Sequence, residues 1–321
     1  MKIFAALLAL SIAAPALAQD AASYPSKPIR IVIPFPPGGA TDVITRRIGE
    51  QLTRRWSQPV IVENKPGANT IIGTETVARA EPDGYTLLMT APSGLVQLPS
   101  LLPKLPYDPV NDFMPLTQIA EVATALTIPA TLPPKTVKEF AEWLQANPGK
   151  TGYASFGAAS TLHIYGEAFK RAVKSDTTHI PYKGDAPAMT DLLAGRVQYI
   201  FNNPVSAINH AKSGKVRILA VTGDKRLPAL PDVPTMGQAG FPGFETVGWF
   251  SFFVHAKVPR PIAEKLHGAL SEIIRSSEMS AFLRDSGTLP TGIGMDEFAR
   301  KVVSERAAWA KLIKDNDIRL D

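Results

Sequence analysis

Apolar positions follow a regular order along the chain from residue 29. The short, mainly apolar run at 29–33 is followed, after a Pro/Gly loop, by four apolar residues that recur every fourth position, namely Ile44, Ile48, Leu52 and Trp56. A short apolar run predicts a buried strand, and four-residue recurrence predicts an amphipathic helix. A strand at 60–62, a helix near 70–80 and a strand at 85–89 continue the order. The first hundred residues therefore predict a βαβαβ unit.

A second α/β unit is predicted after a proline-rich connection that contains Pro99, Pro103, Pro106, Pro109 and Pro115. Its pattern predicts strands near 121–128, 152–155, 178–180, 197–201 and 217–221, and helices at 136–146, 161–173, 186–194 and 204–212. A Pro/Gly-rich loop at 227–243 precedes an apolar stretch at 247–254. Two or three helices follow it, with no further strand predicted.

The C-terminal helices have no sheet of their own on which to bury an apolar face. We therefore expect them to return to the first unit, which gives a first lobe of residues 19–122 plus 250–321 and a second lobe of residues 123–249. Two crossing segments would join two Rossmann-like lobes and act as a hinge, with a cleft where the carboxyl ends of the strands face each other. The expected fold class is α/β, with a ligand cleft between the lobes.

The N-terminal residues 1–18 have the pattern of a secretory signal peptide. Met1-Lys2 begins the chain, an apolar region runs over 3–14, and Ala16-Leu17-Ala18 forms an A-x-A cleavage signal before Gln19. A short membrane anchor is the alternative, but the apolar stretch is shorter than the ~20 residues that span a bilayer. We expect a cleaved signal and an exported protein.

Composition narrows the possible functions. The chain has 321 residues, 45% of them hydrophobic, and no cysteine. Disulfides, thiolate metal sites and cysteine nucleophiles are thereby excluded. The net charge of +5 is spread in short mixed groups without a Lys/Arg run, which argues against a nucleic-acid partner. We expect no metal site and no cofactor.

Three loops that follow predicted strands are candidate anion-binding sites. They lie at 34–42, with Gly38 and Gly39, at 90–94, and at 153–161, with several small hydroxyl residues. Glycines let backbone N–H groups approach a ligand, and a helix N-terminus favours an anion. The alternatives are structural: Thr41 or Asp42 as the N-cap of a helix, a plain turn at 90–94, and Ser160 or Thr161 as the cap of the next helix.

Enzymatic motifs are scarce. The sequence contains no G-x-S-x-G, no H-E-x-x-H and no P-loop, and its five histidines are dispersed. Asp185 with His179 or His163 could serve as an acid/base pair for Ser155, but the spacing does not require it. We assign no catalytic residue, and a secreted hydrolase stays the least favoured alternative.

The sequence closely resembles the Bug family, the extracytoplasmic solute receptors of tripartite tricarboxylate transporters, over nearly the whole mature chain. The resemblance is carried by segments that recur in order, namely Tyr24-Pro25-Ser26-Lys27-Pro28, Pro34-Phe35 with Gly38-Gly39 and Asp42, Val62-Glu63-Asn64-Lys65-Pro66-Gly67-Ala68, Pro82-Asp83-Gly84-Tyr85, Tyr107-Asp108-Pro109, Asn147-Pro148-Gly149, His179-Ile180-Pro181-Tyr182-Lys183-Gly184, Leu192-Leu193-Ala194-Gly195 and Pro231-Asp232-Val233-Pro234-Thr235. The resemblance implies a type II periplasmic-binding-protein fold that closes on a small organic carboxylate and delivers it to membrane permease subunits.

By motif position, the resemblance implies ligand contacts from both lobes. The residues are Phe35, Gly39, Ala40, Thr41, Ser93 and Gly94 on one side, and Ser155, Ala158, Ala159, Ser160, Thr161, Asp185 and Asn202 on the other. The chain departs from the family at Ala159, where a glycine is common, at Asn202, where an acid is common, and at Asp185, where a small residue is common.

Several alternatives stay open. Asp185 either faces the ligand, where it would favour an ammonium or hydroxyl group, or caps the helix that begins near Ala186-Pro187. The ligand could be a di- or tricarboxylate, an aromatic acid or an amino acid. A periplasmic sensor that feeds a signalling system would use the same cleft. We expect a monomer.

Overall fold

The computed structural model describes residues 21–320, which form two mixed β-sheets covered by helices. The predicted signal peptide lies outside the described residues. The first sheet has six strands, namely β1 (Ile29–Ile33), β2 (Val60–Asn64), β3 (Thr86–Thr90), β4 (Phe113–Val122), β10 (Gly248–His255) and β11 (Leu289–Ile293). The second sheet has five strands, namely β5 (Ala125–Pro129), β6 (Gly152–Ser155), β7 (Thr178–Pro181), β8 (Tyr199–Asn202) and β9 (Val216–Val221). The strand order is β11-β4-β10-β3-β1-β2 in the first sheet and β7-β6-β8-β5-β9 in the second.

Nine α-helices connect and cover these strands within residues 21–320. They are α1 (Ala40–Trp56), α2 (Ile71–Ala78), α3 (Val137–Gln145), α4 (Thr161–Ala172), α5 (Asp185–Leu193), α6 (Pro204–Lys212), α7 (Arg260–Arg275), α8 (Ser277–Asp285) and α9 (Met295–Asp315). The strands β1, β2 and β3 are parallel, as are β6, β7 and β8. The loops that follow parallel strands therefore meet at one edge of each sheet. The α/β fold class predicted from the sequence is confirmed.

Two predicted strand assignments were wrong. The single strand predicted near 121–128 is two strands in different sheets, and β4 begins at Phe113, inside the proline-rich connection. Pro115 is accommodated opposite Phe253 because the register of β4 and β10 shifts there. The short strand β11 was missed, since Pro290 and Gly292 weaken its strand pattern. It occupies an edge of the sheet, where proline is tolerated.

The chain passes between the two sheets twice, and the two crossing segments are hydrogen-bonded to each other. Thr124 follows β4 and Thr222 follows β9. The Thr124 N–H donates to Thr222 Oγ1 at 2.9 Å, and the Thr222 N–H donates to the Thr124 carbonyl at 2.9 Å. Gly248 and Trp249 pair with β4 in the first sheet. The lobe boundaries given above stay a prediction.

A buried carboxyl group lies beside the start of β10. Trp249 Nε1 donates to Glu305 on α9, and Lys301 Nζ lies 3.8 Å from the other oxygen of the same carboxyl group. Burial raises the pKa of Glu305 to about 7, although Trp249 and Lys301 partly oppose this effect. Glu305 therefore couples the stability of this region to pH.

The wild-type protein is expected to lose stability as the pH rises from 4.5 to above 7, because Glu305 must then ionise while buried. The substitution Glu305→Gln should remove this loss. In the wild type the folded state binds the extra proton between pH 4.5 and 7, so the stabilisation by this group is complete below pH 4.5 and lost as pH rises through 7. The free energy of unfolding of the variant relative to the wild type should rise by about 3 kcal/mol between pH 4.5 and 8. Urea unfolding at several pH values measures it. Glu297→Gln, at an exposed carboxyl group on α9, is the control. Parallel pH profiles for wild type and Glu305→Gln would contradict the assignment.

Candidate functional site

The loop between β1 and α1 offers free backbone donors. Gly39 is the N-cap of α1, and the first intrahelical bond runs from Val43 N–H to the Gly39 carbonyl. The N–H groups of Ala40 and Thr41 precede that bond, so the helix gives them no acceptor. The interpretation of Thr41 or Asp42 as the N-cap is wrong. Gly39 is exposed and Ala40 is half-buried at this helix N-terminus, a kind of position that favours an anion, whereas Thr41 is buried.

Asp42 fixes the shape of this loop. Its carboxylate accepts the Gly38 N–H at 2.9 Å and pairs with Arg46 at 2.9 Å. Burial alone would raise the pKa of Asp42, but the bonds from Arg46 and Gly38 outweigh it and hold the pKa below its ordinary value. Both partners of the Asp42 carboxylate lie within this loop and the first turns of α1. The Phe35 side chain, at the start of the loop, is half-buried.

The loop after β3 is packed tightly in the first lobe. Ser93 and Gly94 begin a π-helical turn over Ser93–Gln97, and both are buried. A Cβ at Gly94 would lie 2.8 Å from Thr70 Oγ1 and 2.9 Å from Thr74 Oγ1, so only glycine fits. The Tyr107 hydroxyl donates to the Gly94 carbonyl at 2.8 Å. Isolated π-helical turns are frequent at functional sites.

The loop between β6 and α4 is organised around the Gly157 carbonyl. This carbonyl accepts hydrogen bonds from Ser155 Oγ at 3.1 Å and from Ser160 Oγ at 2.7 Å. Ser160 is the N-cap of α4 and accepts the His163 N–H, so the capping interpretation of Ser160 is confirmed. Capping leaves the N–H groups of Thr161 and Leu162 without an intrahelical acceptor. The loop therefore combines a helix cap with free donors.

Ala158 and Ala159 complete this loop. Ala159 adopts the left-handed conformation with φ 59°, which explains why glycine is common at this position in the family that the sequence resembles. Its methyl group is buried, and this burial offsets part of the cost of the left-handed backbone. Ala158 is half-buried beside it.

A pair of stacked histidines lies behind the Ser155 hydroxyl. His179 Nε2 lies 2.6 Å from Ser155 Oγ, and the His163 and His179 rings are 4.3 Å apart. Burial, and secondarily the charges of His163 and Lys170, lower the pKa of His179 to about 4. A neutral His179 is therefore available at pH 7 to orient the Ser155 hydroxyl. Within the described residues, His179 has no hydrogen-bonded carboxylate of the kind that a catalytic triad requires.

Asp185 and Asn202 lie at the same edge of the second sheet. Gly184 is the N-cap of α5, and the Asp185 side chain makes no capping bond, so the capping interpretation of Asp185 is wrong. Instead, Asp185 accepts a hydrogen bond from Ser206 Oγ at 2.7 Å. Asn202 is fully buried and bonded to Thr127 Oγ1 at 2.8 Å. Asn202 therefore links the end of β8 to β5 through Thr127 and to α5 through Met189.

A contact between the lobes brings two of these loops together. Gln97 Nε2, on the turn after β3, donates to Thr161 Oγ1, at the start of α4, at 2.9 Å. The segments that follow β3 and β6 therefore meet at this hydrogen bond. Sequence reasoning missed Gln97, although a polar residue within the apolar run Leu95-Val96-Gln97-Leu98 was a usable signal. Sequence reasoning also did not predict that the Gly157 carbonyl accepts both serine hydroxyls or that His179 contacts the Ser155 hydroxyl.

Comparison with known proteins identifies the family to which this chain belongs. Residues 44–318 match the family described as the tripartite tricarboxylate transporter family receptor. The chain belongs to this family. The Bug relationship predicted from the sequence is confirmed by protein BugT of Bordetella pertussis, 31% identical over 310 residues that cover 96% of this chain and 94% of BugT.

Solved structures of this receptor family superpose on nearly the whole chain. The periplasmic binding protein BugD is 33% identical with a TM-score of 0.83, covering 92% of this chain and 99% of BugD. The R. palustris protein Rpa4515, solved with adipate, is 31% identical with a TM-score of 0.86 and the same coverage. The alkanesulfonate-binding protein SsuA of Xanthomonas axonopodis pv. citri, at 14% identity and a TM-score of 0.55, covers 92% of this chain and 94% of its own and shows the fold alone. The periplasmic-binding-protein fold is confirmed.

Residues 21–320 contain neither a membrane-spanning helix nor a cluster of metal-binding side chains. No helix in residues 21–320 combines the length and the apolar character that a membrane span requires. The same residues contain no group of three or more His, Asp or Glu side chains arranged to hold a metal ion.

Proposed function

We propose that this receptor binds a small organic carboxylate in the periplasm and delivers it to the membrane permease of a tripartite tricarboxylate transporter. The observation that carries the proposal is the contact between Gln97 and Thr161, which holds the N-terminus of α4 against the first lobe. The N-terminus of α1 follows β1, whose neighbour in the sheet is β3. Two helix N-termini with free N–H groups then border one cleft, and this arrangement suits an anion.

Affinity in such a site comes from several backbone and hydroxyl donors. A hydrogen bond to a charged group contributes roughly 1.5–3 kcal/mol, and micromolar binding requires about 8 kcal/mol. Four to six donors from the loops after β1, β3 and β6, together with closure of the lobes, would meet this requirement after the costs of ordering. The ligand residues proposed from the sequence on these loops, from Phe35 to Thr161, stay proposals.

The known ligand of one relative supports the substrate class. Rpa4515 was solved with adipate, a dicarboxylate, and its fold covers nearly all of this chain. For this receptor we propose a ligand from the class of small organic acids, without assigning adipate itself. The proposed permease partner is in keeping with the family, and the proposed periplasmic location is in keeping with the family and with the signal peptide predicted over residues 1–18.

A hydrolase would use the pair formed by Ser155 and His179. The 2.6 Å contact meets the first geometric requirement for a nucleophile and its base. Ser155 is fully buried, however, and Asp185 is bonded to Ser206 instead of to a histidine. We therefore favour a structural role for the pair, in which His179 and the Gly157 carbonyl hold the buried Ser155 hydroxyl and so fix the loop before α4.

A thermal-shift screen of the mature protein, stripped of bound ligand, tests the proposal. The panel contains di- and tricarboxylates, aromatic acids, amino acids and, as controls, neutral sugars and amines. A ligand at about a hundred times its Kd should add ~2.7 kcal/mol to the free energy of unfolding, and calorimetry then gives the Kd. Stabilisation by sugars or amines alone, or by no compound, would contradict a carboxylate receptor.

A further inference from the structure

The Arg306 guanidinium, on α9, binds backbone carbonyl groups. Its Nε donates to the Leu95 carbonyl at 3.0 Å, and its Nη2 donates to the Pro109 carbonyl. The side chain is half-buried, and burial lowers the pKa of Arg306, an effect that the charge of Asp108 only partly opposes. Burying a cation is costly, so the two carbonyl bonds of Arg306 require an explanation.

The Leu95 carbonyl lies where its own turn is short of donors. Leu95 is in the π-helical turn Ser93–Gln97, and the residue four positions after it is Pro99, which has no N–H to donate. The N–H of Leu98 donates to the Ser93 carbonyl instead. Arg306, more than two hundred residues away in the chain, supplies a donor that the proline cannot.

The same turn carries the residue that contacts α4. Gln97 follows Leu95 by two residues and donates to Thr161 Oγ1 at 2.9 Å. Gln97 is fully buried, so its side chain cannot swing out to keep this bond if the turn shifts. Arg306 therefore acts on the contact with Thr161 through the backbone of the turn, without touching Thr161 itself.

The helix that carries Arg306 also contacts α4. Trp309, one turn after Arg306, is fully buried, and its ring centroid lies 5.5 Å from that of Tyr165 on α4. Tyr165 in turn lies one helical turn after Thr161. Thus α9 contacts both sides of the bond between Gln97 and Thr161, the turn through Arg306 and α4 through Trp309.

We propose that Arg306 is a positioning residue for ligand binding, which holds the Leu95 carbonyl so that Gln97 meets Thr161 and the loops after β3 and β6 stay together. The inference rests on the proposed function, in which these two loops bind one ligand. Such a ligand binds only the fraction of molecules in which the loops are correctly placed. The apparent Kd therefore rises as this fraction falls.

Arg306→Gln should weaken ligand binding roughly ten-fold, because the turn loses a charge-assisted bond that fixes it. Calorimetry with adipate, malate, glutarate and glutamate measures the loss, and the acid that the wild type binds most tightly is then used for every variant. Arg306→Lys, which can still reach one carbonyl and should lose less affinity, takes its place if Arg306→Gln does not fold.

Arg217→Gln is the matched control. Arg217 on β9 is also half-buried and also donates to backbone carbonyls, those of Leu132 at 3.0 Å and Pro134. It lies near the start of β9, at the end of the strand away from Thr222 and the crossing segments. Urea unfolding should show a loss of stability in both variants, whereas only Arg306→Gln should lose affinity.

A double-mutant cycle with Gln97 separates positioning from general destabilisation. Gln97→Met removes the bond to Thr161 while keeping the volume of the side chain, and it should itself weaken binding. In the Gln97→Met background, Arg306→Gln should cause a further loss of no more than about two- to three-fold, because Arg306 no longer has that contact to position.

The outcomes distinguish this inference from the function beneath it. Unchanged affinity in Arg306→Gln, or the same ten-fold loss with and without Gln97, overturns the positioning role and leaves the carboxylate receptor intact. An equal loss of affinity in Arg217→Gln also overturns it. If none of the four acids binds and the wider acid panel is also negative, the proposed function fails and the inference fails with it.

Discussion

Gly157→Ala is expected to weaken ligand binding roughly ten- to a hundred-fold, because it changes the loop that presents the donors at the start of α4. Gly157 has φ 112°, a conformation that residues with a Cβ rarely adopt, and no atom lies within 4 Å of the added methyl group. The effect would therefore come from the backbone. Rotation of this peptide would displace the carbonyl that holds Ser155 and Ser160.

Gly214→Ala provides the matched control for this result. Gly214 also has a positive φ, 68°, and open space around it, but it follows the C-terminus of α6, away from the edge where α6 begins. Both variants should lose roughly 1–3 kcal/mol of stability, whereas only Gly157→Ala should lose affinity. Urea unfolding and calorimetry, with the acid that binds the wild type most tightly, measure the two quantities. Equal affinities in both variants would show that this loop does not hold the ligand.

Gly166→Ala should destabilise the second lobe by about 3 kcal/mol or more, because the methyl group has no space. Gly166 lies on α4, and a Cβ there would be 2.1 Å from Cε2 of Tyr153. The Tyr153 ring cannot move aside, since it is fully buried between Tyr199 and His179, with ring centroids 5.3 and 4.9 Å away. Because folded domains are stable by roughly 5–15 kcal/mol, this loss is large.

The same substitution at Gly268 should have the opposite effect. Gly268 lies inside α7, and no atom surrounds the added methyl group within 4 Å. Alanine is a better helix former than glycine, so Gly268→Ala should stabilise the protein by roughly 0.5–1 kcal/mol. Chemical unfolding of both variants, with the near-UV circular dichroism of the buried tyrosines, checks the pair. A Gly166→Ala variant as stable as the wild type would contradict the packing of Tyr153 on α4.

These predictions link the candidate site to the core behind it. Tyr153 contacts Gly166, stacks on His179 and donates to Glu167 at 2.7 Å, while His179 contacts the Ser155 hydroxyl. A change at Gly166 should therefore also alter ligand binding through Ser155. We expect Gly157→Ala to lose more affinity than Gly166→Ala, because Gly157 is part of the loop and Gly166 acts on the loop only through Tyr153 and His179.

The sequence by itself determined the fold class, the order of most strands and helices, and the family. These features depend on local patterns: apolar runs, four-residue recurrence and glycine-rich turns are properties of neighbouring residues. It also located the loops that follow β1 and β6, since a strand-to-helix turn with glycine or serine is a local signal. Where proline obscured the pattern, at β4 and β11, the strands were missed or merged.

Only the tertiary structure decided which groups meet. Gln97 and Thr161 are 64 residues apart in the chain, and no local pattern pairs them. The sequence before Ala186-Pro187 suits Asp185 as a helix cap, but α5 begins at Asp185 itself with Gly184 as its N-cap, and the Asp185 carboxyl group bonds to Ser206 on another helix. Hydrogen bonding and burial depend on what the folded chain brings nearby, and this is why the roles of Asp185, Gln97 and His179 required the structure.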